Sequence, residues 1–237
     1  MTRSQVQVLD RPPVSAQSTK RYTVTTQDIY TRYNTPGNLQ QHMLDVAGMV
    51  QVIKKYWIGS NVDWRIVTSA ALLHDLGNIV KFDFDKYPHL LGSEQSHIEY
   101  WREVQQSIIN KYGSNDHAVT DVMLTELGIS EDIRQVISSK SFGSSRQLMN
   151  DGTVEAKILL YCDLRVLPSG VGSLSERLND IKKRLTKYSE RPDFDQLTEA
   201  CYAIQKEIQR SVSVDLSENI NNLTLQVHRK NLLQYEI

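Results

Sequence analysis

Residues 69–84 read SAALLHDLGNIVKFDF. The run up to Leu73 is apolar and predicts a buried helix, which ends in the adjacent pair His74-Asp75 before the helix breaker Gly77. Burying an imidazole or a carboxylate without a partner is costly. The pair is therefore either fully hydrogen-bonded or used in chemistry, and its partners must come from other parts of the chain.

The overall composition is that of an ordinary globular protein. The 237 residues are 40% hydrophobic and 23% charged, with 27 basic and 28 acidic residues and a formal net charge of −1. This balance argues against a broad surface for nucleic acid or an anionic membrane. The N-terminal stretch lacks the apolar region of a secretory signal, and no apolar run is long enough to span a bilayer. Cys162 and Cys201 are too few for a disulfide framework. We therefore expect a cytoplasmic protein without a membrane partner, and the sequence leaves a homodimer open.

The chain is predicted to be all-α, with a single helical bundle. Residues 1–20 lack apolar periodicity and predict a disordered tail. Residues 21–211 predict one domain, and 212–237 predict a short C-terminal appendage that could be a hairpin, a helix or a partner-binding tail. Helical periodicity is found at about 38–57, 62–76, 95–112, 117–127, 130–140, 152–167, 173–188 and 194–211. The stretch FDFDKYPHLLGSEQSH (82–97) predicts a loop.

Three of the predicted helices direct possible metal ligands inward. His42 lies on the apolar stripe of the first, His74 and Asp75 end the second, and Asp163 lies within AKILLYCDLRVL of the third. Two imidazoles and two carboxylates suit one divalent transition metal, namely Mn, Fe, Co, Ni or Zn, rather than Ca. Each residue alone also fits a purely structural role, as a hydrogen-bonded core histidine or a capping aspartate. Convergence of the three helices is what would favour the metal.

The motifs TPGNLQQHMLDVAGMV, SAALLHDLGNI and EAKILLYCDLRVLPSGVGSLSERL together resemble the HD-domain metal-dependent phosphohydrolase superfamily. The resemblance covers about residues 28–190. It implies an all-helical fold and a divalent metal held by His42, His74, Asp75 and Asp163. It also implies hydrolysis of a small phosphorylated substrate, usually a nucleotide, with Asp75 helping to orient the attacking water.

The sequence departs from the family pattern directly after the His-Asp pair. Many members continue as His-Asp-x-Gly-Lys, whereas this chain has Asn78 at the last position, where it could contact substrate. Lys81 is the nearest residue that could replace the missing lysine as a phosphate contact. In members that hydrolyse nucleoside monophosphates, a Glu takes the place of Asn78, so the resemblance argues against that activity.

The resemblance also bears on the number of metal ions. His117 falls where two-metal members carry a third histidine, and it could be a metal ligand, act in catalysis, contact substrate or simply begin a helix. Their fourth histidine would fall near residues 137–140, where this chain has none. A second metal is therefore not expected unless His89 or His97, which are more typical of solvated surface residues, supplies a ligand.

Two arginines close to Asp163 in sequence could bind the phosphate of a substrate. Arg165 and Arg177 each carry a guanidinium that can hold phosphate through two hydrogen bonds, although either could form an ordinary ion pair instead. The main hypothesis is a metal-dependent phosphohydrolase. The alternative is a catalytically silent HD-fold protein that binds a nucleotide or a partner and signals through its conformation. A nucleic-acid-binding role is disfavoured by the near-neutral charge.

Overall fold

The structure, a computed structural model, describes residues 24–237, so the predicted tail at residues 1–20 lies outside the described part. The fold is all-α, as the sequence predicts. Its helices are α1 (Thr26–Arg32), α2 (Gly37–Tyr56), α3 (Trp64–Leu73), α4 (Ile98–Tyr112), α5 (Asp116–Glu126), α6 (Glu131–Ser139), α7 (Ser145–Asp151), α8 (Val154–Arg165), α9 (Leu174–Arg184), α10 (Thr186–Ser189), α11 (Phe194–Arg210), α12 (Leu216–Asn219) and α13 (Asn222–Leu233).

Short elements complete the fold. Short 3₁₀ segments cover Asn78–Lys81 and Phe142–Ser144, and the Pro88–His97 segment contains 3₁₀ turns divided by a kink at Gly92. Strands β1 (Val166–Leu167) and β2 (Gly170–Val171) form an antiparallel hairpin in which Val166 pairs with Val171 and Leu167 with Gly170. The Pro88–His97 segment falls within the stretch predicted as a loop.

Side-chain caps fix where the central helices begin. The Asp63 carboxylate accepts from the backbone N–H groups of Arg65 and Ile66 at 3.0 and 3.1 Å, which starts α3. The Thr153 hydroxyl does the same for α8 through Ala156 N. These contacts satisfy donors that a helix start leaves unpaired. Because the Asp63 cap fixes where α3 begins, it also helps to fix the position of His74 at the other end of the helix.

Helix α2 begins differently, because proline at its N-cap offers no side-chain acceptor. Glu94, on the Pro88–His97 segment, accepts from the backbone N–H of Gly37 at 2.7 Å. A carboxylate at this end also interacts favourably with the helix dipole. The segment between α3 and α4 is thus attached to the first turn of α2.

The core is centred on α3, which packs against α2, α6 and α8. Its residues 67–73 are all buried, so α3 is enclosed on every side over this length. Helix α2 contributes a fully buried stripe that includes Val46, Met49, Val50 and Ile53. Because α2, α3 and α8 are in mutual contact, the three helices predicted to carry metal ligands are neighbours in the fold.

The C-terminal segment is helical and packs on α2. Leu225 of α13 is fully buried against Gly48 of α2, with the Leu225 Cβ 3.4 Å from where a Gly48 Cβ would lie. The Arg229 guanidinium donates two hydrogen bonds to the Asp45 carboxylate, at 2.8 and 3.0 Å. Of the three structures that the sequence left open for residues 212–237, the helix is the one formed. Within residues 24–237, no helix has the length and apolar character needed to cross a membrane.

Candidate metal centre

His74 follows the last residue of α3 and is almost completely buried. Its Nδ1 lies 2.8 Å from the carbonyl oxygen of Ala71, so Nδ1 carries the proton and donates it. Its Nε2 is buried without a hydrogen-bond partner, 3.6 Å from Asp75 Oδ1 and 3.4 Å from Asp163 Oδ1. The second ring nitrogen of His74 is therefore held facing two carboxylates.

His42 brings the second imidazole from α2. Its Nε2 lies 3.0 Å from Asp163 Oδ1 and 3.8 Å from Asp75 Oδ2. The rings of His42 and His74 meet edge to face with centroids 5.3 Å apart. The side chain of His42 is 21% exposed, whereas that of His74 is fully buried, so His42 marks the side on which the cluster opens to solvent.

The cluster contains a fifth residue that the sequence did not suggest. Lys140, directly after the last residue of α6, donates from Nζ to Asp75 Oδ1 and to Asp163 Oδ2, each at 3.0 Å. Only 7% of its side chain is exposed. A lysine at the end of a short amphipathic helix is usually a surface residue, and nothing in its neighbouring sequence marks it as buried. Lys140 occupies the region, residues 137–140, where two-metal members carry their fourth histidine, and this correspondence is the one feature of the sequence that points to it.

The charges of the cluster stabilise one another. Burial alone would raise the pKa of the Asp163 carboxyl, but the Lys140 ammonium and the two imidazoles hold it well below its usual range. The pKa of Asp75 is likewise lowered against the effect of burial, mainly by Lys140 and His74. Burial would lower the pKa of Lys140, and the two carboxylates more than reverse this, so that it is raised. At neutral pH the cluster contains two carboxylates and one ammonium.

These four predicted ligands can hold a metal ion. His42, His74, Asp75 and Asp163 each offer one ligand atom, and these atoms lie within 4.8 Å of one another. Among residues 24–237 this is the one group of histidine, cysteine and acidic side chains whose ligand atoms lie close enough together to share a metal ion. The unpartnered Nε2 of His74 is the observation that fits a metal best, because a buried polar atom is normally satisfied. Mixed nitrogen and oxygen ligands suit a divalent transition metal.

Further predicted site residues lie near the cluster. Lys81 ends the Asn78–Lys81 segment, and its ammonium donates to Asp116 Oδ2 at 2.7 Å. Lys81 is half-exposed, and its charge also helps to lower the pKa of Asp75. His117 follows Asp116 at the start of α5 and contributes to lowering the pKa of Asp116. Asn78 is buried at the start of the same 3₁₀ segment. Their roles toward a substrate stay predictions.

The two arginines have partners within their own region of the chain. The buried Arg165 guanidinium donates to the carbonyl of Gly172 and to the hydroxyl of Tyr161, and so holds the β1–β2 hairpin against the end of α8. Arg177 lies 3.4 Å from Asp180 one turn further along α9. Both arginines therefore make the kind of structural contact that the sequence allowed as the alternative to phosphate binding. Phosphate binding by either arginine stays a prediction.

The two loop histidines lie outside the metal-ligand group. His89 and His97 are exposed on the Pro88–His97 segment, where His89 contacts the ring of Tyr87 and His97 pairs with the Ser96 hydroxyl. Cys162, beside Asp163, is fully buried, and burial raises the pKa of its thiol. It is therefore a packed core residue.

Comparisons of this chain with protein-family models, with curated proteins and with solved structures gave no match. The resemblance to HD-domain phosphohydrolases thus rests on the sequence motifs that carry it.

Proposed function

We propose that this protein is an HD-type metal-dependent phosphohydrolase that acts on a small phosphorylated substrate, with a nucleotide as the expected class. The observation that carries the proposal is the unpartnered Nε2 of His74, held by the Ala71 carbonyl so that it faces His42, Asp75 and Asp163. Two imidazoles and two carboxylates around one point form a ligand set for Mn, Fe, Co, Ni or Zn.

The surrounding residues have the chemistry that phosphoester hydrolysis needs. A divalent ion in such a site polarises phosphoryl oxygens and makes water a better nucleophile at neutral pH. Asp75 would orient the attacking water, whose oxygen bonds to phosphorus and whose proton is released to solvent, while the ester P–O bond breaks. Lys81 supplies positive charge for the phosphate from the rim of the cluster. His117, next to the Lys81–Asp116 pair, is the candidate to give a proton to the departing oxygen.

A second candidate function is favoured by one contact. Lys140 already balances part of the negative charge of Asp75 and Asp163. A cluster stabilised in this way could persist without a metal, as in a catalytically silent HD-fold protein that binds a nucleotide or a partner. The two candidates differ in whether the purified protein retains metal and whether it turns over substrate.

The test combines metal analysis with substrate turnover. We expect the purified protein to retain a divalent metal and to release phosphate from at least one member of a nucleotide panel assayed with Mn, Fe, Co, Ni and Zn. Asp75→Asn should weaken metal binding by more than about tenfold and abolish turnover. Asp193→Asn, which removes a carboxylate paired with Arg191 far along the chain, is the matched control and should change neither.

Two outcomes would reject the phosphohydrolase. Turnover that survives Asp75→Asn would show that the cluster does not perform the reaction. Thermal stabilisation by a nucleotide, with no product formed under any of the metals, would instead support the silent binding protein.

A further inference from the structure

Lys140 is unusual because a lysine is almost never buried unless it is paired. Its ammonium lies between two carboxylates that are themselves candidate metal ligands, 3.0 Å from each. Its backbone N–H bonds to Ile137 O at the end of α6, which fixes the point from which the side chain enters the cluster. A cation is therefore built into the site by the chain itself.

The two carboxylate oxygens of Asp163 have different neighbours. Oδ1 faces the imidazoles, 3.0 Å from His42 and 3.4 Å from His74, whereas Oδ2 accepts from Lys140. Lys140 can thus keep its contact with Asp163 while Oδ1 is available to a metal ion beside the imidazoles. For Asp75, Oδ1 accepts from Lys140 and Oδ2 faces His42. The ammonium and a single metal ion are compatible in this arrangement.

Charge and ligand supply argue against a second metal ion. Two carboxylates and one ammonium sum to −1, and one divalent ion would bring the cluster to +1. A second divalent ion would bring the cluster to +3 and would compete with Lys140 for the same two oxygens. Uncompensated charge at a buried site is strongly unfavourable.

We propose that Lys140 is a positioning residue that takes the place of a second metal ion, restricting the site to one divalent metal and holding Asp75 and Asp163 with one oxygen each directed at it. This inference rests on the proposed metal site, but not on which phosphoester is cleaved. The fixed ammonium also leaves the metal-loaded cluster positive, which suits an anionic phosphate.

Metal stoichiometry tests this role directly. We expect the wild-type protein to bind one equivalent of Mn²⁺ or Co²⁺ in equilibrium dialysis. Lys140→Met removes the charge while keeping an unbranched side chain, and should raise the stoichiometry from one toward two. Lys140→Gln should behave in the same way and serves if Lys140→Met does not fold, with folding checked by circular dichroism.

The matched control is Lys157→Met. Lys157 is also a mostly buried lysine, paired with Glu207 at 3.0 Å, but it is outside the metal-ligand group. This variant should keep one equivalent at wild-type affinity. If Lys140→Met and Lys140→Gln bind one equivalent as the wild type does, or if the wild type binds two, the inference about Lys140 is wrong while the phosphohydrolase proposal is untouched. If the wild type binds no metal, the proposed function fails as well.

Discussion

At the scale of single residues, the site depends on which atom of each side chain is left free. The bond from His74 Nδ1 to the Ala71 carbonyl determines that Nε2 faces the carboxylates. A hydrogen bond at one ring nitrogen is the usual means of orienting an imidazole ligand. The turn that follows His74-Asp75 is equally constrained, because the backbone N–H of Gly77 donates to the Thr120 hydroxyl at 3.0 Å.

Gly77→Ala should destabilise the protein. A Cβ at this position would lie 2.7 Å from the Thr120 backbone nitrogen and 2.8 Å from its hydroxyl oxygen, so α5 would have to move away from the His74-Asp75 turn. We expect a loss of about 1–3 kcal/mol in the free energy of unfolding, as for other overpacked sites, measured by urea denaturation. The control is Gly48→Ala, whose added Cβ would make ordinary contacts at 3.4 Å. This change should be neutral or stabilise α2 by up to about 1 kcal/mol.

If Gly77→Ala is as stable as the wild type, α5 does not pack against the turn that follows His74-Asp75.

The sequence predicted four of the cluster residues because each lies on, or at the end of, an apolar helical stripe. His42, His74 and Asp163 share a face with residues that must be buried, so their direction follows from the 3.6-residue period. Lys140 could not be predicted in this way. It follows the last turn of α6, beyond the helical period, and its direction depends on how α6 packs against α3 and α8.

At the scale of elements, the rim of the site is formed where the Asn78–Lys81 segment meets α5. The two elements are joined by an ion pair in which Lys81 Nζ lies 2.7 Å from Asp116 Oδ2. Asp116 also lies in the first turn of α5, where a carboxylate interacts favourably with the helix dipole. Lys81 is about half exposed, so solvent screening limits the strength of the pair.

The Lys81–Asp116 pair should stabilise the protein in a pH-dependent way. Burial opposes ionisation of Asp116, but Lys81 outweighs it, so the pKa of Asp116 is lowered in the folded state. A lowered pKa contributes stability above the unfolded value of about 4, and that stability is lost as the pH falls through the folded value. A double-mutant cycle with Asp116→Asn and Lys81→Met should give a coupling of about 0.5 kcal/mol at pH 7. The coupling should decrease as the pH falls below about 4 and through the folded-state pKa of Asp116.

A coupling energy that stays constant as the pH falls from 7 until Asp116 is protonated would contradict an ionic pair.

Element boundaries were predictable where caps and apolar stripes agree. The predicted helix at about 38–57 corresponds to α2, and that at 117–127 to α5, each within one or two residues. The Pro88–His97 segment was predicted as a loop because it contains Pro88 and Gly92, and it forms 3₁₀ turns instead. A 3₁₀ turn repeats every three residues and leaves no amphipathic stripe to recognise. Gly92, with φ +58°, interrupts it further. Helix α7 was not predicted, since its seven residues lie between two glycine-containing breaks.

At the scale of the whole molecule, residues distant in sequence complete the core around α2. The Asp45 side chain, on the helix that carries His42, is 9% exposed and receives the Arg229 guanidinium from α13. Backbone bonds from Thr26 N to Tyr235 O and from Ile237 N to Val24 O attach the C-terminal residues to the start of α1. The segment predicted as an appendage therefore shares a core with the helices of the site.

Arg229→Met should lower the free energy of unfolding by about 1–3 kcal/mol, because it leaves the Asp45 carboxylate partly buried with only the Gln41 amide as a side-chain donor. Thermal or urea denaturation measures this loss. Arg210→Met, which removes an exposed arginine at the end of α11, is the control and should change stability by less than about 0.5 kcal/mol. If Arg229→Met is as stable as the control, the pairing of α13 with α2 contributes little to the fold.

The packing of α13 could not be predicted because SVSVDL and NLTLQV alternate weakly and offer no clear helical stripe. Its buried residues, Leu225 and Leu232, are recognisable only once α2 is in place as their partner. Long-range contacts of this kind are the part of a fold that local periodicity leaves open.

The pairing of α2 with α13 also has a consequence for biosynthesis. Helix α2 is translated well before α13, the helix that covers one of its faces. At about 5–20 residues per second, synthesis of the chain between them takes roughly 10–30 s. During that time this face of α2 lacks its neighbour. The nascent chain is therefore expected to expose apolar residues of α2 until α13 has been made.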